Sequence, residues 1–379
     1  MEVRCALWFE WIPDTQLYNI IQDSLAFDFP LTKINENIYC LELFHGPTLA
    51  FKDLGARFLS RCLGYFSSSI GNKITVLVAT SGDTGGAVAD AFYKVEGTEV
   101  IILYPSKKVS PVQEKQLTAL GENIHALEVN GDFDDCQRLV KMAFTDNELK
   151  KKIFLTSANS INISRWLSQQ IYYALAVAQW KETQAPVFAV PSGNFGNICA
   201  GLLSQKSGLG IKHFIAACNK NDVFTRYLQS GVYEPTHSYS TISNAMDVGN
   251  PSNFVRIMEL YKNNYTELKQ HISSSSFNDA STETTIERVY QDLNYLLDPH
   301  TAVAYLAMES WINLHPSDKG IILGTEHPVK FPETVEKIIQ KQIEIPAQVK
   351  SIMKKEKKSI LVEANYELVK DLIIQLTNE

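Results

Sequence analysis

Four apolar runs in this 379-residue chain end in loops built from Gly, Ser, Thr and Asn. Residues 74–79 (ITVLVA) enter TSGDTGG at 80–86, and 153–155 (IFL) enter TSANSIN at 156–162. Residues 187–190 (VFAV) lead through Pro191 into SGNFGN at 192–197, and 321–323 (IIL) lead into GTEHP at 324–328. A short run that is apolar at every position fits a strand buried on both faces, as in a parallel sheet. Helical patterns separate these runs, which predicts α/β architecture with mostly parallel sheets. The crossovers in such sheets are right-handed, so helices cover both faces. Ligands then bind beyond the carboxyl ends of the strands, where the four polar loops lie.

The rest of the chain fits this plan. Residues 13–29 predict an amphipathic helix ended at Pro30, and 87–94 a helix rich in alanine. Ser110-Pro111-Val112-Gln113 combines a capping serine, a proline at the first helical position and a capping box, with Gly121 as the stop signal. Strands are expected at 100–103, 124–129 and 213–217, with helices at 133–144, 164–180 and 198–203. The pattern weakens from 233 to 282. HISSSSFNDAST at 271–282 reads as a polar surface loop, with helices resuming at Glu283. A strand and then a helix are expected within 359–376.

Several function classes are disfavoured. No run of 18 apolar residues is present, so no membrane span is expected. The opening MEVRCALWFEW lacks the basic and apolar regions of a signal peptide. Six scattered cysteines without a C-x-x-C pair indicate free thiols in a reducing compartment. The net charge is −7 and the largest basic block is KKEKK at 354–358, which reads as a solvated face rather than a nucleic-acid site.

The chemistry centres on Lys52 in LFHGPTLAFKDLGAR, residues 43–57. It follows a turn at Gly46-Pro47 and opens a helical pattern, walled by Leu49, Ala50 and Phe51. Such a wall disfavours the ammonium, and the free amine can form a Schiff base or move a proton. An exposed lysine at a helix start is the plain alternative. The SGNFGN loop sits between strand and helix, where inward N–H groups and the helix N-terminus suit a phosphate. It is neither a dinucleotide fingerprint nor a Walker loop. The loop at 80–86 has the same design with Asp83 added, and Thr80, Ser81 and Thr84 could hold a carboxylate. Either loop could be a plain turn. An amine, a phosphate cradle and a carboxylate cradle together point to pyridoxal phosphate and an amino-acid substrate.

At this point the chain resembles a known family. ELFHGPTLAFKDLGARF, ATSGDTGGAVA, KVSPVQEKQLTALG, TSANSINISRW, PSGNFGNICAG, SNAMDVGNPSNFVR, DPHTAVAY and GTEHPVKFPETV resemble the threonine synthases, fold-type-II pyridoxal-phosphate enzymes related to tryptophan synthase β. The resemblance implies two α/β domains with mostly parallel sheets and the active site between them. It suggests a division into 1–50, 51–155, 156–345 and a tail at 346–379. Lys52 is implied as the Schiff-base lysine, and Gly193, Asn194, Phe195, Gly196 and Asn197 as the phosphate loop. Thr325 is implied at the pyridine nitrogen and Asp83 near the cofactor 3′-hydroxyl. Thr80, Ser81, Gly82, Thr84 and Gly85 would hold the substrate carboxylate. The implied substrate is O-phospho-L-homoserine, its phosphate assigned to Asn159, Ser160, Asn162, Arg165 and Lys330, with Asn253 as a further candidate. Water would replace the phosphate to give L-threonine, without a metal. His45, His300 and His327 fall in the motifs and are read as structural. The family also implies a cytoplasmic enzyme, monomeric or homodimeric. Only about fifty residues precede Lys52, fewer than the family usually has, and 1–11 match nothing in it. A truncated or wrongly started chain is therefore expected. The alternatives are a related phospholyase, giving 2-oxobutyrate, phosphate and ammonia, and an inactive remnant that binds the cofactor.

Overall fold

A computed structural model describes residues 12–70, 73–160 and 162–378. The opening 1–11 segment lies outside the described residues. The described residues hold eleven strands, in chain order Leu31–Lys33 (β1), Ile38–Glu42 (β2), Ile74–Ala79 (β3), Thr98–Pro105 (β4), Ile124–Asn130 (β5) and Phe154–Ser157 (β6). Then come Val187–Pro191 (β7), His213–Cys218 (β8), Ile272–Ser276 (β9), Gly320–Gly324 (β10) and Ile360–Glu363 (β11). They form a six-stranded sheet ordered β1-β2-β10-β7-β8-β9 and a five-stranded sheet ordered β11-β5-β4-β3-β6. Among the strand pairs of the described residues, only β1–β2 is antiparallel. Residues 31–42 thus join the larger sheet and the tail strand β11 joins the smaller.

Both sheets are buried on two faces, which explains the long apolar runs in the middle of their central strands. In the larger sheet Phe188, Val190, Phe214, Ala216, Ile321 and Leu323 pack into one core. Their neighbours Val187, Ala189, Ile215, Ala217 and Ile322 pack into the other. In the smaller sheet Val76, Val78, Val100 and Ile102 face one side. Leu77, Ala79, Ile101 and Leu103 face the other, together with Val362, Val369 and Ile373 of the tail.

Several expectations change, and the first helix is Asp14–Ser24, shorter than 13–29. The serine-rich stretch is not a loop: residues 272–276 form β9, an edge strand in parallel register with β8, Phe214 opposite Ile272. Its hydroxyls take the place of apolar packing. Ser274 Oγ donates to the Ala216 carbonyl at 2.9 Å, and Ser273 Oγ lies 3.0 Å from His213 Nε2. Asn278 then accepts from the Ser281 N–H at 2.9 Å, so the next helix starts at Asp279 rather than 283. The expected helix 164–180 is two helices, Ile163–Leu167 and Gln170–Gln179. At the break the Ser168 hydroxyl reaches the Ser164 and Arg165 carbonyls at 3.3 and 3.4 Å, competing with the backbone ladder. The alanine-rich helix begins at Asp83, not at 87.

The last change matters for the site. Helices Lys52–Ile70 and Asp83–Phe92 pack side by side and begin with the two residues of greatest chemical interest. Gly55 allows the Lys52 helix to approach the Arg165 segment, since a Cβ there would lie 2.4 Å from the Arg165 carbonyl oxygen.

Candidate active site

The four polar loops converge on one cavity of about 540 Å³. Its wall contains Lys52, Thr80, Ser81, Asp83, Thr84, Asn159, Ser160, Arg165, Gly193, Asn194, Phe195, Gly196, Asn197 and Thr325. Gly82, Gly85, Asn162 and Lys330 are not among the lining residues. Asn162 caps the helix Ile163–Leu167 and donates from Nδ2 to the Ser157 carbonyl at 2.9 Å. Asn253 is fully buried, donating to the Asn194 carbonyl at 2.8 Å and to Ser160 Oγ at 3.2 Å.

The 80–86 loop is shaped from within. Thr80 Oγ1 accepts from the Gly82 and Gly85 N–H groups at 2.9 Å each, so that hydroxyl is committed to the turn. Gly82 has φ +134°, and a Cβ there would fall 2.6 Å from the Gln113 amide carbon. Gln113 closes its capping box as expected. Its Nε2 also donates to Asp83 Oδ1 at 2.9 Å, a second role that the helix-start signal did not reveal.

The 192–197 loop is a tight cradle ahead of the helix Gly196–Lys206. Phe195 adopts a left-handed conformation, φ +61°. A Cβ on Gly193 would lie 2.7 Å from Met246 Cα, so only glycine fits there. Asn197 Oδ1 accepts from the Tyr172 and Tyr173 hydroxyls at 2.6 and 2.7 Å, while its buried Nδ2 has no partner among the described residues. An oriented donor left open in a glycine cradle at a helix N-terminus fits a phosphate group. Across the cavity Asn159 clamps the end of β3, donating to the Ala79 carbonyl at 2.7 Å and accepting from its N–H at 3.2 Å.

The base of the site is a buried ionic cluster. Lys52 Nζ lies 2.9 Å from Glu326 Oε1 and 3.7 Å from Asp83 Oδ2. Lys330 Nζ, wholly buried, pairs with Asp83 Oδ1 and lies 3.2 Å from Glu326 Oε2. Burial pushes the Glu326 carboxyl up to about 7, helped by the neighbouring Asp83 charge. Asp83 is also pushed up by burial, but Lys330 and Lys52 outweigh that and hold it well below the usual carboxylate range. Lys330 is held above its ordinary value, burial notwithstanding, by Asp83 and Glu326. Sequence reasoning placed Lys330 on a substrate phosphate; its ammonium is enclosed by carboxylates instead. It missed Glu326 altogether, although the i, i+4 spacing of Glu326 and Lys330 was a legible signal for an ion pair.

The three motif histidines bond to neighbouring protein groups, and His300 also lines the cavity. His300 is buried, with Nδ1 2.8 Å from Asp298 Oδ1 and Nε2 accepting from the Ala245 N–H at 3.1 Å. His327 accepts from the Val329 N–H, and burial pushes it down to about 4. His45 Nε2 lies 2.7 Å from Glu42 Oε2.

The sequence profile of the pyridoxal-phosphate dependent enzymes matches residues 24–322, and that of the threonine synthase C-terminal region matches 301–373. Fold and site thus define a pyridoxal-phosphate enzyme of fold type II. A threonine synthase from Haemophilus influenzae is 49% identical over 337 residues, covering 88% of this chain and 78% of its own. The crystal structure of threonine synthase from Escherichia coli superposes with a TM-score of 0.91 at 42% identity, covering 97% of this chain and 85% of that one. That of the pyridoxal-phosphate-bound threonine synthase from Brucella melitensis gives 0.88 at 33% identity, covering 97% and 86%. The chain belongs to the threonine synthase family, lyases that depend on pyridoxal phosphate. Among the described residues no helix is long and apolar enough to cross a membrane.

Proposed function

We propose that the chain converts O-phospho-L-homoserine and water to L-threonine and phosphate. Arg165 supplies the observation that carries this reading. Its guanidinium lines the cavity, is 4% exposed, and forms no ion pair among the described residues. Its Nε has no hydrogen-bond partner among the described residues, while another N–H reaches the Ala158 carbonyl. Burial lowers it to about 10, opposed by Asp53, so it stays charged at neutral pH. A buried cation without a counter-ion calls for an anion. The phosphate of the substrate fills that role, with Ser160 beside Arg165 and with Asn159 and Asn162 holding the loop that presents them.

Pyridoxal phosphate, when bound, supplies a reactive carbonyl carbon and an electron sink for charge at the substrate α carbon. Lys52 carries it and moves protons at the substrate carbons. Gly193, Asn194, Phe195, Gly196 and Asn197 hold its phosphate through backbone N–H groups and the open Asn197 donor. Thr325, which follows β10, would offer its hydroxyl to the ring nitrogen, and Asp83 would stand near the 3′-oxygen. Ser81 and Thr84 hold the substrate carboxylate on a turn shaped by Thr80, Gly82 and Gly85. The cavity lies between a lobe on the smaller sheet, 51–157 with the tail from 346, and a lobe on the larger sheet. Cys40, Cys62, Cys136, Cys199 and Cys218 are free and buried, which supports a reducing compartment, and we place the enzyme in the cytoplasm as a monomer or homodimer.

Substrate discrimination tests the reading. Threonine is expected from O-phospho-L-homoserine and none from L-homoserine under the same conditions. Release of phosphate with 2-oxobutyrate and ammonia would replace the synthase with a phospholyase.

A further inference from the structure

We propose that Gln169 is a further substrate-binding residue, whose amide holds the substrate's phosphate beside Arg165. The inference rests on the reading of Arg165 given above. The helix Ile163–Leu167 ends at Ser168, yet Ser168 and Gln169 both keep right-handed helical dihedrals. The backbone therefore winds on through the break. Gln169 sits about one turn beyond Arg165 and three residues beyond Trp166, and positions so spaced share one face. All three residues line the cavity, and in chain order they are 4%, 6% and 5% exposed. Each carries a polar atom left open. Arg165 Nε, Trp166 Nε1 and Gln169 Oε1 are out of solvent contact and have no hydrogen-bond partner among the described residues. The Gln169 amide as a whole forms no hydrogen bond among those residues.

A buried amide without partners costs stability, so its place in a cavity wall calls for a ligand. The chemistry of the face selects a phosphate. Arginine and the indole N–H only donate, whereas an amide donates to an ionised oxygen and accepts from a protonated one. A phosphate monoester offers both kinds of oxygen near neutral pH, since its second ionisation falls at about pH 6. Ser160 is tied to the same face. An Arg256 N–H donates to the Ser160 carbonyl at 2.8 Å, and the Arg256 guanidinium lies 5.6 Å from the Trp166 ring. The cradle is close as well, because a Cβ on Gly196 would lie 3.3 Å from Ser160 Cβ. Substrate and cofactor phosphates are thus the two sources to separate. The face that Gln169 shares with Arg165 assigns the amide to the substrate's.

Gln169→Leu keeps the bulk of the side chain and removes the amide. The cofactor-loaded full chain is titrated by calorimetry with two ligands. One is L-2-amino-5-phosphonopentanoate, in which a methylene replaces the bridging oxygen of O-phospho-L-homoserine. The other is L-2-aminopentanoate, the same carbon chain without the phosphonate. The variant's Kd for the phosphonate is expected to rise about tenfold to a hundredfold, the span of one hydrogen bond to a charged group. Its Kd values for L-2-aminopentanoate and for pyridoxal phosphate should change by less than about threefold. The melting temperature of the cofactor-free variant should hold or rise, because an unpartnered buried amide is lost. Gln169→Glu gives Arg165 a counter-ion from within the protein and should weaken phosphonate binding further, again with L-2-aminopentanoate unaffected. Wild-type selectivity in both variants would overturn the proposal, as would an equal loss for both ligands. A lower melting temperature with unchanged binding would make Gln169 a scaffold amide, and weaker pyridoxal phosphate binding with selectivity intact would give it to the cofactor; either overturns the proposal. A wild-type chain that binds the two ligands alike would overturn the phosphate reading itself, before any variant is compared.

Discussion

Arg165 and Glu326 are both buried charges, and their environments demand opposite things. Arg165 lacks a counter-ion among the described residues, whereas Glu326 has two lysines. Arg165→Met keeps the apolar stem and removes the anion partner. Losing charge-assisted hydrogen bonds of about 1.5–3 kcal/mol predicts a fall in kcat/KM of roughly 10- to 150-fold, carried mainly by KM. Steady-state kinetics check this; an unchanged KM would move the substrate phosphate elsewhere. Glu326 also sets a pH dependence of stability. Its folded value of about 7 lies above the unfolded carboxylate value, so the folded state holds an extra proton between about pH 4.5 and 7. This group therefore makes stability fall as pH rises through that window. Urea midpoints are expected to fall more steeply across it in wild type than in Glu326→Gln, whose amide does not titrate. Asp83 works the other way, its contribution being lost as pH drops below the unfolded value of about 4.

At the scale of elements, four loops beyond strand ends and the starts of the Lys52 and Asp83 helices make the site. The cradle before helix Gly196–Lys206 depends on a close approach of backbones. Gly193→Ala puts a methyl 2.7 Å from Met246 Cα and 3.0 Å from the Ala245 carbonyl oxygen, neither of which is a flexible side-chain tip. The variant is expected to fold yet lose pyridoxal phosphate on gel filtration, measured by visible absorbance; full retention would contradict the cradle. Much of this level was legible in the sequence. The uninterrupted apolar runs of β3, β7 and β10 declare burial on both faces, and the loops that follow them declare the site. β9 was not legible, because an edge strand paired on one side can be made of serines whose hydroxyls bond to backbone and side chains. The break at Ser168-Gln169 was hidden for a related reason: a local side-chain bond overrides an otherwise helical pattern. Glu326 stayed hidden because its meaning depends on Lys52, 274 residues away in the chain.

At the scale of the molecule, the ends of the chain complete both sheets. β1 and β2 extend the larger sheet through β10, and β11 with the helix Tyr366–Asn378 covers the β5 edge of the smaller. Val362, Val369, Ile373 and Leu376 are buried in that cover. Removing 359–378 would expose an apolar strand edge. The shortened chain is expected to melt lower and aggregate on heating, measured by thermal scanning with light scattering; an unchanged melting point would make the tail an appendage. The central claim spans the whole fold, since the cavity draws residues from both sheets. Its most direct test is a stoichiometric assay with O-phospho-L-homoserine and pyridoxal phosphate, following phosphate and threonine together in wild type and Lys52→Ala. Equal amounts of the two products from wild type, and neither from the variant, are predicted. Phosphate without threonine, or threonine from the Lys52→Ala chain, would contradict the account.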